Sequence, residues 1–424
     1  MRRDDLRLLR VPAFRRLWAA RTTSILGSAL TPVALAFGVL ELPGAGAREL
    51  ALVVTCNALA MIATILAGGV LGDRFPRTRM LMIAEGIAGV SAGGVAFLFI
   101  SGQATPGSVA ALAALAGGAE GLLFPVLSGL VPETAPADRL QSANALLKFS
   151  QTTAQIGGSA LAGLLVASVG PGWAMAIDAV SFALAVLIVA GIPATRREPS
   201  GAGLIHELRD GWRAFASYRW IWATTIAATI WIGGFHASFS ILGPVVAKSS
   251  LGGAPGWALV LAAFSVGGVA GTFIATRVRP RRPMVIVTLL FQPGTLFVAM
   301  LSLPATLPWV AASAVGLGVS FSVIGVLWDT LLQTHIPPAM LSRVASYDAL
   351  GSLAAMPIAT ALVGSVVASV GVERTLEFAA VVMLLSGLEP LLVRDVWRIG
   401  LAKEQGEGPV AAGSEVPSAP RDRT

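Results

Sequence analysis

The sequence predicts an all-α membrane protein whose twelve transmembrane helices form two pseudo-symmetric six-helix bundles. Three observations carry this reading. Only 12% of the residues are charged and 55% are hydrophobic, against roughly 25% charged in a soluble domain. A soluble chain of 424 residues could not cover its surface with so few charges. Crossing a hydrocarbon core of about 30 Å takes roughly 20 apolar residues, and runs of that kind recur twelve times. Finally, Lys and Arg favour alternate loops, as they do in polytopic membrane proteins.

The predicted spans follow in order. Thr22 to Leu40 is uncharged, and Leu50 to Gly72 and Met80 to Ile100 come next, the third interrupted only by Glu85. Val109 to Val131, Phe149 to Val169 and Ala174 to Ile192 complete the first half. The second half comprises Ile221 to Val246, Trp257 to Thr276, Met284 to Leu303, Trp309 to Leu332, Leu350 to Val370 and Thr375 to Val393. The expected organisation is an N-terminal bundle over 1–193, a linker over 194–218, a C-terminal bundle over 219–401 and a disordered tail over 402–424. Met1 to Arg16 is polar and basic, and the first apolar run carries no convincing cleavage site, so it is expected to be retained as a helix. In the linker, Leu204, Leu208, Trp212 and Phe215 recur at helical spacing with charges between them, which predicts an amphipathic helix at the membrane interface.

Loop charge sets the orientation. The loops on one side carry Arg74, Arg77 and Arg79, then Arg139 and Lys148, the linker arginines, Arg277 to Arg282 and Arg343. The opposite loops hold only Arg48, Lys248 and Arg374. The positive-inside rule therefore places both termini in the cytoplasm, with the cell membrane as the expected location. The net charge of +7 does not indicate nucleic-acid binding, because the basic residues are scattered as short flanks at helix ends and form no stripe.

The halves repeat one another. Ser159-Ala-Leu-Ala-Gly163-Leu-Leu-Val-Ala-Ser-Val-Gly170 in the fifth span matches Thr360-Ala-Leu-Val-Gly364-Ser-Val-Val-Ala-Ser-Val-Gly371 in the eleventh. Gly68 and Gly72 in the second span are likewise echoed by Gly267 and Gly271 in the eighth. Small residues four apart let helices approach closely in lipid, and duplicated halves with a site between them describe many secondary transporters.

After the second span the chain reads Gly69-Val-Leu-Gly-Asp73-Arg74-Phe75-Pro76-Arg77-Thr78-Arg79. This resembles the signature loop of the major facilitator superfamily, matching it at Gly69, Asp73, Arg74 and Arg77 and departing from it at Pro76, where the family favours glycine. Trp328 to Pro337 with Leu341-Ser-Arg343-Val, and Ile177-Asp178-Ala-Val-Ser181-Phe182, resemble bacterial exporters related to siderophore and macrolide efflux proteins. The resemblance implies alternating access between two rocking bundles. It also implies that Gly69, Asp73, Arg74 and Arg77 act as a conformational latch, Asp73 lying beside the start of the eleventh helix, where a carboxylate complements the helix dipole.

Charges retained inside spans are costly and so are functional candidates. Glu120 lies near the middle of the fourth span, a cavity helix by resemblance, and is the leading proton-coupling candidate, with His236 of the seventh span second. Arg21, Trp231 and Trp328 are expected at the substrate cavity, although Arg21 could instead pair with an acid or snorkel outward. Glu85 and Asp329, toward the cytoplasmic ends of their spans, are expected gate or network residues, and Asp178 a structural hydrogen-bonding group. The chain has no phosphate-binding Gly-x-x-x-x-Gly-Lys-Ser/Thr loop, so it is not expected to hydrolyse ATP. Its three scattered histidines and the lone Cys56 offer no metal site, and no cofactor is expected. The expected partners are a small-molecule substrate, protons and membrane lipids, with no nucleic acid and a monomeric chain. The family resemblance points to proton-driven export of amphipathic small molecules by antiport. Proton-coupled uptake, lipid translocation and a non-transporting scaffold are the alternatives.

Overall fold

Low charge and long apolar runs resolve into helices throughout. The computed structural model describes residues 5–136, 140–193, 212–213, 215–278, 280–304, 306–336 and 338–399, and every regular element among them is helical. Twelve helices there are long and apolar enough to cross a membrane. Spans 1 to 6 are Pro12–Leu40, Ala47–Ile65, Arg77–Ser101, Pro106–Leu123, Phe149–Val169 and Pro171–Val189. Spans 7 to 12 are Arg219–Ser250, Gly253–Ala275, Pro283–Ser302, Leu307–Leu332, Tyr347–Val370 and Val372–Leu392. Helical structure extends past several of these windows, as in span 2, whose helix runs Ala47–Arg74, and span 11, whose first helix begins at Pro338.

Among the described residues, four spans are interrupted or widened in their interior, each beside a proline. Span 1 pauses between Ser28 and Thr31 ahead of Pro32, span 9 between Leu289 and Gln292 ahead of Pro293, and span 11 between Leu353 and Met356 ahead of Pro357. Span 7 instead widens into a π turn over Ser238–Leu242 just before Pro244. Proline lacks the N–H that would close the preceding turn and clashes with the carbonyl four residues back, so the helix must bend or widen there. The breaks fall inside the apolar spans, and within a membrane such breaks are tolerable only where protein or a polar cavity surrounds them.

The packing cores show which end of the molecule is shut. Take the end bearing both chain termini as the terminal end. At the far end a single apolar core runs across both bundles, joining Val33, Phe37 and Ala162 of the first half to Leu242, Trp257, Ala258 and Val363 of the second. At the terminal end there are two separate cores. One gathers Phe14, Leu17, Leu81, Leu130 and Val189, and the other Trp220, Ile221, Met284, Leu331 and Val396. Among the described residues the halves therefore share one core at the far end and hold separate cores at the terminal end.

Small residues make the far-end seam possible. Gly163 of span 5 lies against the start of span 8, where an added Cβ would come within 2.9 Å of the Ala254 carbonyl and the Pro255 Cα. Gly364 of span 11 packs on the backbone of Arg48 in span 2. Thr55 Oγ1 donates to Thr360 Oγ1 at 2.9 Å across the same contact, and the Lys248 ammonium of span 7 donates to the Leu40 carbonyl that ends span 1.

The end of the linker is described, and Trp212 and Phe215 pack on Tyr347 at ring separations of 5.7 and 6.2 Å. The remainder of the expected amphipathic helix, including Leu204 and Leu208, and the tail over 402–424 lie outside the described residues.

Candidate functional site

The interiors of the two halves carry different chemistry. On the first half, span 1 carries Arg21, Ser24, Ser28 and Thr31 at helical spacing along one face. Arg21 Nη1 donates to Glu85 Oε1 of span 3 at 2.8 Å, and Ser24 Oγ donates to the same oxygen at 3.3 Å. Beyond them, Thr31 Oγ1 donates to Asp178 Oδ2 of span 6 at 2.6 Å, and Ser28 and Ser181 hydroxyls approach Oδ1 at 3.4 and 3.3 Å. The break at Pro32 lies between Ser28 and the rest of span 1, so two groups flanking the interrupted turn serve the buried carboxylate.

Glu120 stands on span 4 beside the glycine seam with span 2. Gly117 and Gly121 draw the helices together, with an added Cβ at Gly117 meeting the Asn57 Cα at 3.0 Å and one at Gly121 meeting the Ile65 nitrogen at 3.0 Å. The side chain of Glu120 is accessible although it sits at the middle of its helix, and it is close enough to Asp178 to interact with it electrostatically. It makes no hydrogen bond or ion pair among the described residues.

The second half presents aromatic rings. Trp231 stacks on Phe235 at 5.1 Å and touches Phe291 and Phe321 at 5.1 and 5.9 Å. Phe239 continues the ladder to Trp257, Phe264 and Phe297. Between spans 7, 9, 10 and 11, Trp231, Phe291, Phe321 and Trp328 line a partly open cavity of about 290 Å³. Its polar wall is Asp348 of span 11, which accepts from Thr225 Oγ1 at 2.6 Å through Oδ1 and from Trp328 Nε1 at 2.7 Å through Oδ2.

The expected site residues are thus distributed as follows. Arg21 and Glu85 are brought together as an ion pair, with Glu85 wholly buried. Trp231 and Trp328 line the aromatic cavity, Trp231 also donating to Thr295 Oγ1 at 3.2 Å. Asp329 is exposed and lies near enough to Asp348 for a mutual electrostatic interaction. His236 is half-buried in the turn before the π segment, its Nδ1 3.4 Å from Ser240 Oγ. Arg77 opens span 3 and pairs with Glu133, at the end of the span 4 helix, at 3.0 Å. The side chains of Asp73 and Arg74, and Gly69 with them, lie outside the described residues; the backbone there closes the span 2 helix.

Two polar groups escaped the sequence reading. Asp348 was missed because span 11 was counted from the uninterrupted apolar run at Leu350, whereas its helix starts at Pro338 and carries the acid inside. Gln292, at the break in span 9, has both amide atoms buried without a hydrogen-bond partner. The adjoining Pro293 was the available signal, since a proline within an apolar run marks a broken helix.

Comparison with known proteins gives this architecture its family. The sequence profile of the Major Facilitator Superfamily matches residues 17–360. The chain is 26% identical over 399 residues to the enterobactin exporter EntS of Escherichia coli O1:K1 / APEC, covering 92% of this chain and 94% of the relative. It is 24% identical over 405 residues to the protein of that name in Escherichia coli O127:H6, with the same two coverages. Among solved structures, the nucleoside transporter NupG aligns with a TM-score of 0.69 at 12% identity, over 90% of this chain and 98% of that one. A bacterial homologue of the human lysosomal transporter Spinster, in an inward-facing and unoccupied conformation, aligns with a TM-score of 0.65 at 13% identity, over 91% and 97%. With a family profile matched over most of its length and the same fold in solved transporters, the chain belongs to the Major Facilitator Superfamily and is a multi-pass membrane transporter, not an enzyme.

Proposed function

We propose that the protein exports amphipathic small molecules in exchange for protons by alternating access, working as a monomer in the cell membrane with both termini in the cytoplasm. In this reading, residues 1–193 and 219–401 rock as two bodies about the chamber, joined by 194–218. The observation that carries it is the exposed carboxylate of Glu120 at mid-span, in a molecule whose described residues share one core across both halves at the far end and form separate cores at the terminal end. A carboxyl reachable from one side in one conformation and the other side in the next can carry a proton across. Export as the direction is supported by the relatives, which are named as enterobactin exporters. The basic loops at the terminal end support the orientation. His236 and the Arg21–Glu85 pair are assigned to the network through which protonation shifts the bundles, and Arg77 with its neighbours in the signature loop to the latch at the terminal end.

The test is proton flux in everted vesicles from an efflux-deficient host, challenged with enterobactin and a panel of lipophilic compounds. Compound-triggered collapse of the pH gradient is expected in the wild type and loss of that response to background in Glu120→Gln. A response that survives in the variant would move the coupling group elsewhere. No response from correctly inserted wild type would defeat antiport for those compounds.

A further inference from the structure

We propose that the aromatic cavity within the C-terminal bundle is a subsite for the cationic end of an amphiphile, a protonated amine held by Asp348 with its flat apolar body among Trp231, Phe291 and Phe321. The proposal deepens the export reading and rests on it for the idea that the cavity serves a cargo. At about 290 Å³ the cavity is close to the lower bound of about 300 Å³ for small-molecule sites. It would house one ring system and its amine, or that end of a larger molecule. Its walls are almost wholly apolar, and no Lys, Arg or His lines it.

The charge balance points to what is missing. Asp348 is 9% exposed, and its donors among the described residues, Thr225 and Trp328, are neutral and each occupy one carboxylate oxygen. A carboxylate has lone-pair sites to spare after two such bonds. A buried anion without a counter-ion is costly, and a cation supplied by a ligand would relieve that cost. The surrounding indole and phenyl faces attract cations in their own right.

The first half meets a comparable need with its own side chain, although its acid, Glu85 on span 3, is not the repeat equivalent of Asp348 on span 11. Phe14-Arg-Arg-Leu-Trp-Ala-Ala-Arg21 at the start of span 1 aligns at a constant offset with Tyr218-Arg-Trp-Ile-Trp-Ala-Thr-Thr225 at the start of span 7. In the first half Arg21 neutralises the buried Glu85. In the second half the equivalent position is Thr225, whose hydroxyl reaches the buried Asp348 and brings no charge. The space an arginine would fill is part of the cavity, since Thr225 lines it. Asp348 sits near the terminal-end mouth of span 11, and Trp231 and Phe321 lie deeper, so a ligand entering from that end would lead with its apolar body and leave its amine at the acid.

Binding to the purified full-length protein, with no pH gradient present, tests the subsite without asking for transport. The probes are 9-aminoacridine, a flat aromatic cation at neutral pH, and anthracene-9-methanol, a neutral molecule of similar shape, each followed by fluorescence anisotropy. Saturable binding of the cation is expected, weakened at least about tenfold by Asp348→Asn, a loss of about 1.4 kcal/mol, with little change for the neutral probe. Because Asp348 also ties spans 7, 10 and 11 together, Thr225→Arg provides the second variant. It supplies the missing cation internally, and is expected to abolish 9-aminoacridine binding while holding or raising the melting temperature. Absence of 9-aminoacridine binding by wild type, equal binding by both variants when monodisperse, or equal losses for the two probes in Asp348→Asn would overturn the subsite. Intact binding with no proton flux would defeat the export reading alone, and flux without binding would defeat the subsite alone.

Discussion

Glu85 is held wholly out of solvent with one oxygen 2.8 Å from Arg21 and the other without a hydrogen-bond partner, while the Arg21 Nε is likewise unpartnered. A pair placed this way is stable only as a pair. Removing one member of a buried ion pair costs about 3–5 kcal/mol, because the other is left buried and uncompensated. Glu85→Gln is therefore expected to lower the melting temperature of the detergent-purified protein markedly, and Arg21→Gln to do the same. The double variant should lose less than the sum of the two, with a coupling of about 0.5–3 kcal/mol. Strictly additive losses in that cycle would show that the two charges do not support each other. The pairing was only half legible beforehand. Arg21 was recognisable as a charge in need of an acid, and Glu85 as an acid inside span 3, but their contact bridges 64 positions of sequence and depends on how spans 1 and 3 pack. Asp348 was harder, since it precedes the apolar run and only the helix beginning at Pro338 brings it inside.

Helix breaks and small-residue seams decide how these residues are presented. The elements break or widen at Pro32, Pro244, Pro293 and Pro357, but the sequence offers the same signal at Pro125 and Pro132, where the span 4 helix continues unbroken to Thr134. The glycines that close the far end could be read only as repeats, because what each touches lies in the opposite half. Gly163 shows the consequence. An added Cβ already comes within 2.9 Å of the backbone of span 8, so Gly163→Leu cannot be accommodated unless spans 5 and 8 separate. Interfaces of this kind respond to added volume by switching arrangement more readily than by deforming. The expected outcome is a population shifted toward opening at the far end. Spin labels at Glu41→Cys and Ser249→Cys, both exposed at that end, would report it in a Cys56→Ser background. A longer inter-label distance in the Gly163→Leu protein is expected. A distance distribution identical to that of its parent would show that the seam does not control closure.

Across the whole molecule the two halves share a backbone plan and divide the chemistry. The first half buries Glu85 and Asp178, the former paired with a half-buried Arg21, and carries the accessible Glu120, while the second stacks Trp231, Phe235, Phe239 and Phe321 and has Trp231 and Phe321 sharing a cavity with Asp348. Span number, duplication and side bias were all written in hydropathy and loop charge, which are local properties. Which end stands open was not, because it depends on contacts between distant spans. The accessibility of the chamber then gives a prediction for the entire assembly. Ser352 lines the aromatic cavity of the second half and is half-buried, whereas Glu41 is exposed at the far end. In a Cys56→Ser background, Ser352→Cys should react with a membrane-impermeant maleimide in everted vesicles and stay protected in right-side-out ones. Glu41→Cys should show the reverse. The pair separates two questions that either variant alone would confound. Exchanged patterns, with both cysteines labelled from the opposite sides, would place the termini outside and overturn the orientation drawn from the loop charges. Protection of Ser352→Cys from both sides, with Glu41→Cys labelled as expected, would keep the orientation and mean that the resting protein is closed at both ends, so that the cavity must be reached through a motion of the terminal-end bundles.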